Sequence, residues 1–190
     1  PQNNVNNRKM YQPRGKTLGG SSSTNAMAYI RGHKLDYDRW ETMGATGWNY
    51  AACLPYFKKS EHNEQLQDEF HGTNGELNVT FAQQFKTPLA DAFVEACAEN
   101  NIPKIIDVNG TQQNGAGMFQ YTIKNGERHS AAKAFLKPIL QRKNLTIKTN
   151  ALVQRILIEN DIAVGVEIVV NGKLEQIKVR KEIILCAGAF

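Results

Sequence analysis

The last third of the chain carries the pattern that most restricts its fold. Three apolar-rich runs, residues 152–159, 163–170 and 174–180, follow one another closely. The dipeptide Asn171-Gly172, between the second and third runs, is typical of a two-residue hairpin turn, and Asn160-Asp161 is a weaker turn signal between the first and second. We therefore predict an antiparallel meander of three strands.

Two short apolar runs flank this meander. Residues 145–149 (LTIKT) and 182–186 (EIILC) have the composition of strands in a buried parallel sheet. We expect both to be strands, and we expect residues 183–186 to be buried on both faces. Such a strand needs neighbours on either side, so we also expect the chain to be a piece of a larger protein.

The first two thirds of the chain mix helical and strand signals. Thr87 and Pro88 open the clearest helix, in which Leu89 and Phe93 belong to the predicted buried stripe. Asn49 and Ser130 are the predicted N-caps of two others. The full prediction is helices over 35–44, 49–62, 87–101 and 129–144, a short helix or turn from Asn25, a surface loop over 61–75, and strands over 75–82 and 117–128. The predicted fold class is therefore α/β (mixed α+β).

Composition and charge exclude several classes of function. The 190 residues carry a net charge of +5, but the lysines are scattered rather than clustered with aromatics, which disfavours nucleic-acid binding. No apolar run approaches the roughly 18–20 residues that cross a bilayer. Three separated cysteines fit neither a disulfide framework nor a zinc site. We expect buried free thiols in a cytoplasmic protein, and membrane association of the parent protein is left open.

The titratable residues offer no convincing catalytic or metal constellation. His62 and His71 are nine residues apart in a polar stretch and fit no metal-ligand spacing, so we expect both to be solvated. His129, beside Arg128 at a predicted helix start, is expected to be a capping or surface residue. No GxGxxG motif and no phosphate-binding P-loop are present in the sequence. We therefore predict no metal site and no catalytic residue in this chain.

One stretch stands apart from the rest: TLGGSSSTNAMAYIRG, residues 17–32. Gly19 and Gly20 have no Cβ, so their backbone can approach a ligand closely. Three serines and Asn25 add hydroxyl and amide groups. Such a segment is either a flexible linker or a surface for phosphates or a planar heterocycle. The apolar MAYI that follows weakens the linker interpretation.

Several separated motifs carry a resemblance to one family. PRGKTLGGSSSTNAMAYIRG, residues 13–32, resembles the first signature of the glucose–methanol–choline (GMC) flavin oxidoreductases. Within that family the chain is most similar to the choline dehydrogenase branch. The similarity continues at DYDRW (36–40), GW (47–48), LPYFKKSE (54–61), GERHSAAKAFL (126–136), NLTIKTNALVQRI (144–156) and EIILCAGAF (182–190).

The resemblance implies an FAD site. By this similarity, Ser21 and Asn25 hydrogen-bond the cofactor, the backbone at 26–28 faces the isoalloxazine ring, and Val153 meets the adenine. Some members attach FAD covalently through a His at the position that is Thr24 here, so we expect non-covalent FAD. The implied cofactor-binding residues are Gly19, Gly20, Ser21, Ser22, Asn25, Ala26, Met27, Ala28, Val153, Ala187 and Gly188.

The resemblance also implies an organisation and a reaction. Residues 1–75 and 130–190 would belong to the FAD-binding side and residues 76–129 to the substrate side. The parent protein would oxidise a primary alcohol to an aldehyde by hydride transfer to flavin, with its catalytic His outside this chain. Its partners would be a small-molecule alcohol, an unspecified electron acceptor and the rest of the parent chain. Two alternatives are a non-catalytic binding or scaffold module and a lyase built on the same flavin fold.

Overall fold

The structure is a computed structural model that describes residues 3–83 and 86–188. The chain divides into two compact units, one up to Gln141 and one from Arg142. The elements of the first unit are β1 (Ala28–Tyr29), α1 (Lys34–Thr42), α2 (Tyr50–Ser60), β2 (Glu61–Asn63), β3 (Leu77–Val79), α3 (Pro88–Glu99), β4 (Gln120–Tyr121), β5 (Ile123–Lys124) and β6 (Glu127–Arg128), with 3₁₀ turns at Asn3–Val5 and Gly20–Ser23.

Side-chain caps open the first two helices, at the predicted Asn49 and at His33, which the sequence analysis did not single out. His33 precedes α1, and its Nδ1 accepts a hydrogen bond from the Leu35 N–H, while the Asp36 carboxylate accepts one from the His33 N–H. The Asn49 side chain accepts a hydrogen bond from the Ala52 N–H at the start of α2. Each of these bonds satisfies an N–H group that a helix leaves without an internal partner. The predicted helices over 35–44 and 49–62 are confirmed.

The predicted helix or turn after Asn25 is wrong, because these residues form strand β1. β1 pairs antiparallel with β4, with Ala28 opposite Tyr121 and Tyr29 opposite Gln120. Tyr121 also exchanges backbone hydrogen bonds with Thr80, directly after β3. The partners lie about ninety residues away along the chain, so pairing between distant segments overrides the local pattern.

Residues 61–75 were predicted to be a surface loop, and this prediction is wrong at its start. Residues 61–63 form β2, which pairs parallel with β3. Glu61 and Asn63 are 0% and 2% exposed. Their burial is possible because both side chains find hydrogen-bond partners inside the protein, a property that hydropathy does not reveal.

Two helical predictions are corrected in part. α3 begins at Pro88 as predicted, but Leu89 and Phe93 are 80% and 68% exposed, so most of the expected stripe is not buried by the described residues. Residues 129–144 do not form one helix. A π-helical turn (Ala132–Leu136) is followed by a 3₁₀ turn (Lys137–Ile139), because Pro138 lacks the N–H group that an α-helix would use there.

The second unit is the predicted antiparallel meander. β7 (Ala151–Glu159), β8 (Ile162–Val170) and β9 (Lys173–Lys178) pair in the order β7–β8–β9. Asn171 and Gly172, with φ values of 50° and 74°, make the tight turn. The mixed class with antiparallel strands is therefore confirmed.

The flanking runs of the meander are not strands. Residues 145–149 and 182–186 have no regular structure, and Ile184 and Leu185 are 76% and 72% exposed. A parallel strand forms only against a hydrogen-bonding neighbour, and no described strand pairs with either run. Cys186 is consequently exposed rather than buried, whereas Cys53 is buried as expected and all three thiols are free.

The core of the first unit is partly aromatic and partly polar. Tyr37 packs edge-on against Trp40 and Phe57, with ring centroids 5.1 and 5.6 Å apart. Beside this cluster lie more buried polar side chains than apolar ones. Among the described residues, no helix is both long and apolar enough to span a membrane.

Candidate functional site

The glycine and serine segment folds into a tight loop. Gly19 and Gly20 take left-handed backbone angles, with φ values of 87° and 55°, and lead into the 3₁₀ turn Gly20–Ser23. A Cβ on Gly19 would lie 2.6 Å from Ser23 Oγ and 3.1 Å from the Ala132 nitrogen. A Cβ on Gly20 would meet no described atom within 4 Å. The loop is therefore packed on one side and open on the other.

Serine hydroxyls hold the loop in this shape. Ser22 Oγ donates to the Gly19 carbonyl at 2.5 Å and accepts from the Ala131 N–H at 2.9 Å. Ser23 Oγ donates to the Leu18 carbonyl at 2.8 Å. Since the hydroxyl of Ser22 already has two internal partners, its role in the structure is to anchor the loop to the segment before the π-helical turn.

Asn25 is fixed by a partner from β6. Its Oδ1 accepts hydrogen bonds from the Met27 N–H at 3.0 Å and from Arg128 Nη1 at 2.8 Å. Arg128 Nη1 also donates to the Ser22 carbonyl at 3.2 Å. These bonds leave the NH₂ group of Asn25, an exposed side chain, as its remaining donor.

Met27 is held in a strained backbone conformation. Its φ is 65°, a value that residues other than glycine rarely adopt and that costs on the order of 1–3 kcal/mol. Its carbonyl accepts a hydrogen bond from the Thr122 N–H at 2.9 Å, and Asn25 holds its N–H. Strain of this kind persists only where surrounding contacts impose it, and it concentrates at functional sites.

A groove of about 590 Å³ borders this strained residue. Its walls are mainly apolar and aromatic, and the charged residues Lys86, Asp91, Glu95 and Arg128 also line it. Pockets for small organic molecules have this size and composition. The apolar lining includes Met27, Val94, Ile105, Met118, Phe119 and Tyr121.

The structure brings eight of the predicted site residues together in the first unit, and the other three belong to the second unit. Gly19, Gly20, Ser21, Ser22, Asn25, Ala26, Met27 and Ala28 form one continuous surface, tied to residues more than one hundred positions away. A flexible linker has no such anchors, so that interpretation is wrong. In the second unit, Val153 is exposed on β7, Ala187 is exposed, and Gly188 has a φ of 103°.

A buried ionic cluster lies just beyond β1, and sequence reasoning missed it. Glu61 Oε2 accepts from Arg31 Nη2 at 2.5 Å, and Glu61 Oε1 accepts from His71 Nδ1 at 2.9 Å. His71 Nε2 lies 2.9 Å from Asp107 Oδ2. We call Arg31, Glu61, His71 and Asp107 the buried quartet.

The charges of the buried quartet balance. Burial lowers the pKa of His71, but hydrogen bonds to the carboxylates of Asp107 and Glu61 outweigh burial and raise it to about 9. Burial raises the pKa values of Glu61 and Asp107, but hydrogen bonds, first from His71, bring both below their ordinary range. At neutral pH the quartet therefore holds two cations and two anions.

His71 corrects a sequence prediction, since it is 3% exposed rather than solvated. Ligand atoms of Asp68, His71 and Asp107 lie within 4.8 Å of one another, close enough to surround a metal ion. In the protonated form that its raised pKa favours, His71 has no lone pair free for a metal, and its ring nitrogens face Glu61 and Asp107. The burial of His71 depends on its pairing with residues far away along the chain, and a single sequence does not display such pairing.

His129 is also buried rather than on the surface. Its Nδ1 accepts a hydrogen bond from the Asn78 N–H at 3.0 Å. Burial lowers its pKa, and the charges of Lys124 and Lys133 lower it further. His129 is thus a neutral imidazole with its proton on Nε2.

The family model described as GMC oxidoreductase matches residues 2–190. The chain belongs to the GMC oxidoreductase family. This GMC chain is 47% identical over 190 residues to an oxygen-dependent choline dehydrogenase of Rhizobium johnstonii, covering all of this chain and 34% of that protein. It is 46% identical over 189 residues to a mitochondrial choline dehydrogenase of Homo sapiens, covering all of this chain and 32% of that protein.

Solved structures give the same result. An FAD-dependent oxidoreductase from Chaetomium thermophilum superposes with a TM-score of 0.90 at 28% identity, covering 99% of this chain and 35% of that one. A pyridoxine 4-oxidase from Mesorbium loti superposes with a TM-score of 0.81 at 34% identity, covering 87% and 33%. The GMC chain thus spans about a third of the length of these proteins, and FAD is the cofactor that its family and neighbours support.

Proposed function

We propose that this chain supplies part of the flavin-binding side of an FAD-dependent enzyme that oxidises a primary alcohol to an aldehyde. The observation that carries the proposal is the loop over residues 19–28. One side of it is fixed by hydrogen bonds from Arg128 and Ala131, and the other is open at Gly20 and strained at Met27. A rigid, open, glycine-containing backbone suits close approach of a flat cofactor.

The residues of the loop fit the flavin in different ways. The NH₂ group of Asn25 would donate to the cofactor, because its Oδ1 is already occupied by Met27 and Arg128. The exposed backbone of Ala26 and Ala28 would lie against the isoalloxazine ring. When bound, FAD supplies the acceptor for the hydride that leaves the alcohol carbon. Val153, Ala187 and Gly188 stay predicted contacts of its adenosine part.

Two further features concern attachment and organisation. Thr24 has a hydroxyl and no imidazole at the position where some family members attach FAD, so we propose that FAD is bound without a covalent bond. We propose that residues 1–75 and 130–190 serve the FAD-binding side and residues 76–129 the substrate side. The three free thiols support the expected cytoplasmic location.

For the substrate we propose choline or a related primary alcohol. The support is the similarity to the two choline dehydrogenases, which match the whole of this chain. The apolar groove beside Met27 offers room for the body of such an alcohol next to the flavin-facing segment. Its aromatic lining, including Phe119 and Tyr121, suits a cationic ammonium group.

The test uses the full-length protein encoded by the parent gene. It should purify yellow, release its flavin on acid precipitation, and reduce an artificial dye with choline faster than with ethanol. Flavin that stays with the acid precipitate would contradict non-covalent binding. A flavin-loaded protein that oxidises no alcohol in a broad panel would contradict the proposed reaction.

A further inference from the structure

We propose that the buried quartet is a positioning device that fixes strand β1, and with it the flavin-facing segment, and that His71 is its central positioning residue. The proposal rests on the proposed function, since residues 26–28 must face the flavin for their position to matter to it. None of the four quartet side chains belongs to the loop itself, so their effect would pass through the backbone of β1.

Arg31 is the first link between the quartet and β1, because it lies two residues after the end of that strand. It is 7% exposed, and its Nη1 donates to the Phe70 carbonyl at 2.8 Å while Nη2 binds Glu61. Its guanidinium carbon lies 5.2 Å from the centroid of the Phe57 ring and 5.8 Å from that of Tyr29. A buried guanidinium held on both terminal nitrogens and against two rings leaves the adjoining backbone little freedom.

Asn109 is the second link. Its Oδ1 accepts the N–H of Arg31 at 2.8 Å, and its Nδ2 donates to the carbonyl of Tyr29 at 3.0 Å. Its own N–H donates to Asp107 Oδ1 at 2.8 Å. Asp107, which is held by His71, therefore places a side chain that grips the backbone at both Tyr29 and Arg31.

His71 connects both links. It donates from Nδ1 to Glu61, which holds Arg31, and from Nε2 to Asp107, which holds Asn109. Only the protonated ring can donate from both nitrogens. Loss of that proton would set a nitrogen lone pair 2.9 Å from a carboxylate oxygen and would leave a net negative charge buried.

The charged and titratable groups of the quartet and its surroundings come from several elements. The two cations and two anions of the quartet balance one another. Arg31 follows β1, Glu61 lies on β2, and Asp107 lies in the segment after α3. Asp68 is in the same loop as His71, and its Oδ1 accepts the His71 N–H at 3.1 Å. The phenols of Tyr29 and Tyr50 are also neighbours, and burial raises the pKa of each.

The experiment compares His71→Gln with His62→Gln in the full-length protein. The shorter glutamine amide could still donate to one carboxylate but not to both, whereas His62 is an exposed neighbour on β2 outside the quartet. The first readout is amide hydrogen exchange. We expect exchange at Arg31 and Tyr29 to accelerate about tenfold or more in His71→Gln, because a charged hydrogen-bond network is broken. His62→Gln should match the wild type.

The second readout is the circular dichroism of the bound flavin between about pH 7 and pH 10, a range that brackets the pKa of His71. We expect a transition near pH 9 in the wild type and in His62→Gln, and none in His71→Gln. Asp107→Asn should move the transition to lower pH, because it removes a carboxylate that favours the protonated ring. A transition that persists unchanged in both quartet variants would belong to another group and would overturn the proposal.

A direct titration decides the matter if His71→Gln does not fold. In the wild-type protein with ¹³C-labelled histidine rings, the signal assigned to His71 should stay that of an imidazolium up to about pH 9. A neutral ring at neutral pH would overturn the proposal. A protein without flavin would overturn the proposed function, whereas exchange at Arg31 and Tyr29 would still decide whether the quartet fixes β1.

Discussion

Alanine substitutions at Gly19 and Gly20 should both destabilise the protein, but they should rank in one order for stability and in the reverse order for cofactor affinity. Both residues have left-handed backbone angles, which cost a residue with a Cβ about 1 kcal/mol. At Gly19 the new Cβ would also lie 2.6 Å from Ser23 Oγ and 3.1 Å from the Ala132 nitrogen. At Gly20 it would meet no described atom within 4 Å.

The magnitudes follow from these contacts. Gly20→Ala should destabilise the flavin-free protein by about 1 kcal/mol, the conformational cost alone. Gly19→Ala adds overpacking, worth about 1–3 kcal/mol. It also displaces the Ser23 hydroxyl from the Leu18 carbonyl, worth about 1 kcal/mol. The total for Gly19→Ala is about 3–5 kcal/mol.

The affinity for FAD should show the reverse order among folded variants. The open side of the loop at Gly20 is where we place the flavin, so a methyl group there should weaken FAD binding tenfold or more, about 1.4 kcal/mol. Gly172→Ala is the matched control, because Gly172 has a φ of 74° and similar open space in a hairpin turn. It should lose about the same stability as Gly20→Ala and no FAD affinity.

Two assays separate these terms: urea unfolding of the flavin-free full-length protein, and titration with FAD followed by flavin fluorescence. Equal stability losses in Gly19→Ala and Gly20→Ala would refute the packing described for Gly19. Wild-type FAD affinity in Gly20→Ala would refute the position given to the flavin.

Three further predictions concern other parts of the site. Asn25→Ala in the full-length protein should lower flavin content or shift its reduction potential, because a hydrogen bond to a buried cofactor is worth on the order of 1–3 kcal/mol; unchanged content, potential and turnover would show that Asn25 does not touch the flavin. The 190-residue chain alone lacks a GxGxxG motif, so it should purify colourless and reduce no dye with choline and excess FAD; a yellow preparation with near-stoichiometric flavin would contradict this. The raised pKa of His71 should stabilise the fold by at most about 3 kcal/mol, fully below about pH 6.5 and progressively less up to about pH 9. The melting temperatures of wild type and His71→Gln should therefore differ more at about pH 6 than at about pH 10. A difference that stays constant with pH would contradict the raised pKa of His71.

Elements with local signals could be predicted from the sequence. The starts of α1, α2 and α3 depend on residues within one turn, such as Asn49 and Pro88, and the turn at Asn171 and Gly172 needs only two residues. In each case the deciding interaction is between neighbours in the chain.

The buried quartet could not be predicted, because the contacts that allow its burial join residues far apart in the sequence. Glu61 and His71 look like solvated residues until Arg31, thirty positions before Glu61, and Asp107, thirty-six positions after His71, are placed beside them. Polar residues are buried only when such partners exist, and a single sequence does not show them. Residues 182–186 were predicted to be a buried strand for a related reason. Their composition is apolar, but an apolar run becomes a strand only where a neighbouring strand pairs with it.

The anchors of the loop also set an order of events during synthesis. Ser22 is held by the N–H of Ala131, and Asn25 by Arg128, so the loop has its final shape only after about one hundred more residues are made. At about 5–20 residues per second this delay is roughly 5–20 seconds. A nascent segment that waits so long is exposed to other chains, and aggregation favours apolar, β-prone stretches. The run of glycine and serine at residues 19–23 is a poor partner for such contacts, so the segment that must wait for its anchors is one that a growing chain can safely leave uncovered.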